Sequence, residues 1–91
     1  MKVRYLSIAA AEFRDAIAWY RSRSLDTTGR FQEEVVQAEA LLTQHPRIGR
    51  LMEVDVRGVC VNGFPYTLVY AVEGAEIVVI AVAHHRREPG F

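Results

Sequence analysis

The stretch from Gly63 to Arg87 constrains the fold of this 91-residue chain more than any other, because its pattern is that of two paired strands. Pro65 lacks a backbone N–H, so it fits the first position of a strand or a sheet edge. Apolar residues alternate after it and predict a strand from Tyr66 to Glu73 with one strongly apolar face. Gly74 and Ala75 then suit a two-residue type II′ turn, with glycine where φ must be positive. The stretch therefore predicts an antiparallel β-hairpin.

The second strand of this hairpin, Ile77 to Ala83, is apolar on both faces, which is typical of a central strand that is covered on both sides. It leads into four polar residues, His84, His85, Arg86 and Arg87, at one end of the sheet. Neighbouring side chains of an extended strand point to opposite faces. His84 and His85 therefore cannot both serve one site.

A strand and a helix are predicted at the N-terminus. Residues 2–6 alternate along a short strand, which we place at an edge of the sheet. Apolar residues then recur at helical spacings, which predicts a helix from about Ile8 to Ser22 or Arg23 with Ser7 as its N-cap. Trp19 on this helix is interpreted as a core residue or as part of a partner surface.

A second helix follows a connector at residues 25–29, where Asp26 or Thr27 provides the cap. His45 and Pro46 end its pattern. Its apolar residues recur at spacings of four, three and four, at Phe31, Val35, Ala38 and Leu42. The short connector makes the two helices an antiparallel hairpin, whose apolar stripes cover one face of the sheet.

The segment between the helices and the β-hairpin completes the predicted sheet. After a loop at residues 46–50, residues 51–62 carry one or two short strands, with a β-bulge or bend near Gly58 and a turn at Asn62–Gly63. We therefore expect one α+β domain over residues 1–91. In it, an N-terminal strand and an antiparallel helical hairpin pack on a twisted, mainly antiparallel sheet of about four strands.

The composition narrows the functional classes. The charges of eleven basic and eleven acidic residues cancel, and the pI is 6.8. The chain therefore lacks the overall positive field of a typical nucleic-acid binder. No apolar run reaches the roughly 20 residues that cross a bilayer, and the N-terminal residues lack a secretory pattern, so we expect a cytoplasmic protein without a membrane partner. The single cysteine, Cys60, excludes an internal disulfide and is interpreted as a small buried apolar residue.

The candidate chemistry is concentrated at the end of the β-hairpin. A histidine with an ordinary pKa of about 6.5 can act as acid or base, so His84 is a candidate proton carrier; a polar strand end that contacts backbone or a partner is the alternative. Arg86 and Arg87 can grip phosphates or a partner's carboxylates through their planar guanidinium groups, or form a solvated charged end. His45 is remote in sequence, and no Cys or carboxylate cluster has ligand spacing, so we expect neither a metal site nor a cofactor.

The order of these features resembles the RelE/ParE superfamily of bacterial toxins. The likeness is carried by the strand start Phe64-Pro65-Tyr66, the apolar run from Val78 to His84 and the segment Arg86-Arg87-Glu88-Pro89. The N-terminal strand and the two helices extend it over nearly the whole chain. The resemblance implies the toxin of a type II toxin-antitoxin pair, similar to the ParE-like members, with a small antitoxin protein as its partner.

Members of this superfamily act on different targets: some cut messenger RNA on the ribosome, while others inhibit DNA gyrase without being nucleases. The ribonuclease members carry basic residues before the FPY-like segment and often a tyrosine near the C-terminus. This chain has Val61, Asn62, Gly63 and Phe91 at those places. Phenylalanine transfers no proton, and the residues before the FPY motif carry no positive charge. A ribonuclease that lacks both groups would lose on the order of several kcal/mol of transition-state stabilisation.

The favoured hypothesis is therefore an inhibitor of DNA gyrase. Its candidate target-binding residues are His84, His85, Arg86, Arg87 and Phe91. A ribosome-dependent mRNA endoribonuclease, with His84, Arg86 and Arg87 as catalytic candidates, is the first alternative. The second is a decayed toxin that only binds its antitoxin.

Overall fold

The computed structural model describes residues 1–86, and these form a five-stranded sheet with two helices. The elements are β1 Lys2–Tyr5, α1 Ser7–Arg21, α2 Leu25–Gln44, β2 Arg50–Glu53, β3 Val56–Cys60, β4 Tyr66–Glu73 and β5 Glu76–His84. The strand order is β1-β5-β4-β3-β2, with β1 parallel to β5 and every other pair antiparallel. The predicted α+β class is confirmed, with five strands where about four were expected.

The β-hairpin follows the sequence prediction closely. β4 spans Tyr66–Glu73 as expected. Gly74 begins the turn with φ at +59°, while Ala75 keeps an ordinary φ, as a type II′ turn requires. β5 lies between β1 and β4 and is therefore a central strand.

The sequence pattern does not predict the β-bulge in β5. The successive β4 residues Val69 and Tyr70 pair with Ala81 and Val79, so Ile80 is an extra residue in β5. An extra residue resets the alternation of a strand. Apolar side chains on both sides of the bulge therefore face the helices.

Both helix starts differ from the prediction. Leu6, not Ser7, is the N-cap of α1, because the Leu6 N–H is still bound to a β5 carbonyl at 3.0 Å. α2 begins at Leu25, where a connector was expected, because Ser24 Oγ accepts a hydrogen bond from the Thr27 N–H at 3.1 Å. The two caps predicted for this helix lie inside its first turn.

The break in the segment before the hairpin lies at Asp55, which joins β2 to β3 with φ at +61°, and not at Gly58. Gly58 lies within β3, where an added Cβ would be 2.6 Å from Met52 Sδ and 3.0 Å from Thr67 Cγ2. A larger residue at this position would force the Met52 side chain to shift and would crowd Thr67. The register shift of this pair lies in β2, around Met52.

The core lies between the helices and one face of the sheet. Its largest fully buried side chains are Tyr70, Phe31, Leu42, Leu68, Ile77, Val35, Val61 and Val79. Tyr66 is also buried, as the alternation of β4 predicts. Phe64, the first residue of the FPY motif, is only half-buried and packs against Tyr20 and Phe31 at ring-centroid distances of 5.4 and 5.1 Å.

Within residues 1–86, neither helix packs on the opposite face of the sheet, called here the open face. Cys60 lies on it, paired with Thr67, and is exposed, so the expected burial of this cysteine is wrong. Burial in β3 depends on which face of the sheet the helices cover. Val59, whose side chain points to the face opposite that of Cys60, packs against the core. Neither described helix is long and apolar enough to cross a membrane.

Candidate functional site

The end of β5 places His84 beside Tyr66, its partner in β4. The two rings meet edge to face, with centroids 4.9 Å apart and planes at 88°. The backbone N–H of Arg86 donates to His84 Nδ1 at 3.0 Å. Because an N–H donates only to an unprotonated ring nitrogen, the proton of neutral His84 is assigned to Nε2.

His84 and Tyr66 form part of a cleft of about 280 Å³, whose other lining residues are Trp19, Tyr20 and Pro65. We call it the aromatic cleft. α1 brings its last turn to this end of the sheet, so that Tyr20 is buried while Trp19 is 48% exposed. Pro65 contributes the start of the FPY motif. The cleft thus joins the end of a helix to both strands of the hairpin.

Neighbouring rings in the walls of the aromatic cleft are steeply inclined to one another, by 65° for Tyr20 and Tyr66. Trp19 and Tyr20 have centroids 5.2 Å apart and planes at 88°, the same angle as in the Tyr66–His84 pair. Tyr20 is fixed from behind by Phe31, at a centroid distance of 5.1 Å. Burial, and to a smaller extent Tyr66, raises the pKa of Tyr20, so its hydroxyl stays protonated at neutral pH.

Two exposed arginines adjoin residues that line the aromatic cleft, and we call this pair the basic rim. The Arg23 guanidinium carbon lies 3.7 Å from the ring centroid of Trp19. Its Nη1 donates to the Trp19 carbonyl at 3.2 Å and to Ser22 Oγ at 2.8 Å. Arg86 is exposed beside His84. In the described part of the chain the one salt bridge lies elsewhere, so neither guanidinium is neutralised by a carboxylate.

His85 belongs to the open face of the sheet. Its Nε2 lies 2.9 Å from Thr67 Oγ1, and its backbone N–H donates to the Pro65 carbonyl at 2.9 Å. The prediction that His84 and His85 point to opposite faces is therefore confirmed. Of the other sequence candidates, Arg86 joins His84 at the cleft, while Arg87 and Phe91 lie outside the described residues.

The sequence analysis did not connect Trp19, Tyr20 and Arg23 with the end of β5. The available signal was local: two adjacent aromatic residues and an arginine four positions after the first, all near the end of one helix. That signal places Arg23 over Trp19, but it does not say which part of the sheet lies beneath them.

A second opening, called here the aliphatic groove, runs between α2 and β3. It has a volume of about 140 Å³ and is lined by Glu34, Gln37, Ala38, Leu41, Val59, Cys60 and Asn62. Leu41 is 37% exposed, and the edge strand β2 beyond the groove exposes Leu51 and Met52. The charged side chain of this lining is Glu34, so the groove is apolar with an acidic border.

Comparison with known proteins gives one family and a matching fold. The family described as ParE toxin of type II toxin-antitoxin system, parDE, matches residues 3–89. A solved structure titled as the chromosomal ParDE TA system from P. aeruginosa contains a similar chain, with a TM-score of 0.77, 18% identity and coverage of 92% of this chain and 95% of that chain. At that identity the likeness shows a shared fold. A search of curated proteins finds no match.

Proposed function

Because this chain belongs to the ParE toxin family of type II toxin-antitoxin systems, we propose that it inhibits DNA gyrase through the aromatic cleft and its basic rim. The observation that carries the proposal is the position of His84 and Arg86 at a half-open cleft lined by Trp and Tyr rings. Tryptophan, tyrosine and arginine are the residues that dominate protein–protein recognition sites. The chemistry of the cleft therefore fits a protein target.

The geometry favours an inhibitor over a ribonuclease. Cleavage by 2′-hydroxyl attack needs a proton acceptor beside a group that stabilises the charge on the phosphate. Nδ1 of His84 already accepts the Arg86 N–H, and His85 points to the open face. The Tyr70 hydroxyl is bound within the core to the Pro46 carbonyl at 2.7 Å. These contacts leave the cleft with apolar ring surface and positive charge, which suits binding.

The antitoxin partner fits the aliphatic groove. An amphipathic helix binds by placing apolar side chains in such a groove, and an extended segment binds by adding a strand to a sheet edge. Leu41 and Val59 supply the apolar surface, and β2 supplies an edge strand with exposed backbone groups on one side. We assign the C-terminal segment of the antitoxin to this surface, as either a helix or a strand.

The test of gyrase inhibition uses purified full-length protein in a supercoiling assay, beside primer extension on transcripts from cells that express it. We expect supercoiling to be inhibited and transcripts to remain uncut. Trp19→Ala should weaken the inhibition, whereas the control Ile8→Ala, which removes an exposed apolar side chain from the other end of α1, should leave it unchanged. Codon-specific cleavage with normal supercoiling would instead identify a ribosome-dependent nuclease. Normal growth with folded protein would identify a decayed toxin.

A further inference from the structure

The shape of the aromatic cleft selects among ligands. A flat ring such as a nucleobase binds best by stacking on the faces of aromatic side chains. In the cleft the Trp19–Tyr20 and Tyr66–His84 ring pairs are perpendicular, at 88°, and Tyr20 is inclined to Tyr66 by 65°, so none of these pairs offers parallel walls. Arg23 also occupies one face of the Trp19 ring. The cleft is therefore better suited to a bulky, three-dimensional apolar side chain such as leucine, methionine or phenylalanine.

The positive charge near the cleft favours acidic residues on either side of that apolar side chain in the ligand. Arg23 is held in place by two hydrogen bonds and by the Trp19 ring, and it has no carboxylate partner among residues 1–86. Asp15, one turn before Trp19 on α1, forms no ion pair there either. Arg86 is a second exposed arginine, which follows His84 by two residues and binds His84 Nδ1 through its backbone N–H. Guanidinium groups bind carboxylates through paired, charge-assisted hydrogen bonds.

We infer that the aromatic cleft receives one bulky apolar side chain from a segment of gyrase in which acidic residues flank that side chain. The inference rests on the proposed function, since it names what the target presents to the same site. The apolar side chain fills the space between the rings, and the flanking carboxylates pair with Arg23 and Arg86. A nucleic-acid ligand is disfavoured because the chain has no net charge.

The single tryptophan of the chain makes the inference directly measurable, because Trp19 lines the cleft and its emission reports occupancy. The probes are capped pentapeptides without tryptophan: one with a central leucine between acidic residues, one with a central alanine between the same acidic residues, and one with a central leucine between lysines. Adenosine monophosphate is the nucleotide probe. Each is titrated against the full-length toxin.

We expect a saturable change in Trp19 emission with the acidic leucine peptide, and roughly tenfold weaker binding when the central leucine becomes alanine. The lysine peptide and the nucleotide should give no saturable change. Absence of a response to the acidic leucine peptide up to about 1 mM, the affinity of a weak fragment, would overturn the inference. An equal response to the lysine peptide, or a stronger response to the nucleotide, would overturn it as well.

Charge reversal provides the matched test. The double variant Arg23→Glu with Arg86→Glu should prefer the lysine peptide, whereas Arg14→Glu, an exposed substitution earlier on α1, should keep the original preference. Circular dichroism checks that each variant is folded. An unchanged preference in the folded double variant would overturn the role of the rim.

The same peptide separates this inference from the gyrase assignment. If the acidic leucine peptide binds at the cleft and relieves inhibition of supercoiling, both stand. If the peptide binds while gyrase is unaffected by the toxin, binding of an apolar side chain with acidic neighbours is supported, and the choice of gyrase as the target is wrong. If gyrase is inhibited but no acidic peptide changes Trp19 emission, gyrase remains the target. The inference that the cleft binds an apolar side chain with acidic neighbours is then overturned.

Discussion

The aromatic cleft and the aliphatic groove both open where the helical hairpin leaves part of the sheet uncovered, yet their walls behave differently. In the cleft the rings are supported from behind: Tyr20 lies against Phe31 and Phe64, with ring centroids 5.1 and 5.4 Å apart. In the groove, Leu41 is an aliphatic side chain that is 37% exposed. Rigid rings hold a fixed shape, whereas aliphatic side chains adapt to a partner.

The two surfaces also differ in charge. The rim of the cleft carries Arg23 and Arg86, while the charged residue of the groove lining is Glu34. One small scaffold therefore presents a basic, rigid site and an acidic-bordered, aliphatic site at different places. Toxicity and neutralisation can therefore depend on separate side chains, so that substitutions at one surface should remove one and spare the other.

The largest expected effect is on toxicity. Arg23→Ala combined with Arg86→Ala removes both guanidinium groups of the rim and should restore growth to cells that express the toxin without antitoxin. Growth on plates measures the effect, and calorimetry with the purified antitoxin should show unchanged binding. The matched control is Arg14→Ala with Arg47→Ala, two exposed arginines of which one lies earlier on α1 and the other in the loop after α2. If this control restored growth equally, the rim would have no special role.

The next effect is on antitoxin binding. Leu41→Asp places a charge in the aliphatic groove and should weaken antitoxin binding by about 2 kcal/mol or more, roughly thirtyfold, as expected at the centre of an apolar interface. Supercoiling inhibition by the free toxin should persist. Val36→Asp is the control, because it makes the same change at an exposed valine of α2 outside the groove lining. Loss of gyrase inhibition in the folded Leu41→Asp variant would show that gyrase and the antitoxin do not use separate surfaces.

Local patterns predicted most of the scaffold. The β-hairpin and the two apolar stripes depend on alternation and on helical spacing, which a single sequence displays directly. The start of α2 was misplaced because Ser24, Asp26 and Thr27 are all good capping residues, and the sequence does not rank them. Gly58 was interpreted as a bend, but it lies within β3, where side chains of the neighbouring strands approach it closely. Contacts between strands are not visible in local spacing.

The candidate site was predicted only in part. His84 and Arg86 were found because they follow an unmistakable strand, and their opposite neighbour His85 was placed correctly by parity. Trp19 and Arg23 reach the same end of the sheet only through the packing of α1 on the core. That arrangement depends on the crossing of helix and sheet, which no short stretch of sequence specifies.

A smaller effect is expected at Phe64, which packs against the aromatic cleft through Tyr20. Phe64→Ala should lower the free energy of unfolding by about 2 to 3 kcal/mol, below the ~3 to 5 kcal/mol of a fully buried phenylalanine, because the ring is half-buried. Since Phe64 contacts Tyr20, gyrase inhibition should fall more than antitoxin binding. Thermal unfolding measures the first effect. Phe64→Leu retains most of the bulk and should cost less than about 1.5 kcal/mol. An unchanged melting temperature in Phe64→Ala would show that the ring supports neither surface.

The smallest effect concerns the hydrogen bond that ties α2 to β1. The Tyr5 hydroxyl donates to Glu39 Oε2 at 2.6 Å, and Glu39 does not belong to the groove lining. Tyr5→Phe removes this bond and should cost about 1 to 2 kcal/mol of unfolding free energy at neutral pH. Antitoxin affinity should change less than in Leu41→Asp, and the cleft should be unaffected.

The pH dependence of stability reports the environment of the Tyr5 hydroxyl, which is buried and bound to Glu39. Burial, followed by the bound Glu39 carboxylate, raises the pKa of Tyr5 above the ordinary tyrosine value of about 10. The folded state therefore retains this proton at pH values where the unfolded chain loses it. Its stabilisation is complete below pH ~10 and declines as the pH rises toward the higher pKa of the folded state. Urea unfolding between about pH 9 and 11 should show a shallower loss of stability for Tyr5→Phe than for the natural chain. Equal slopes would mean that folding does not raise the pKa of Tyr5, which would contradict a hydroxyl that is buried and bound to the Glu39 carboxylate.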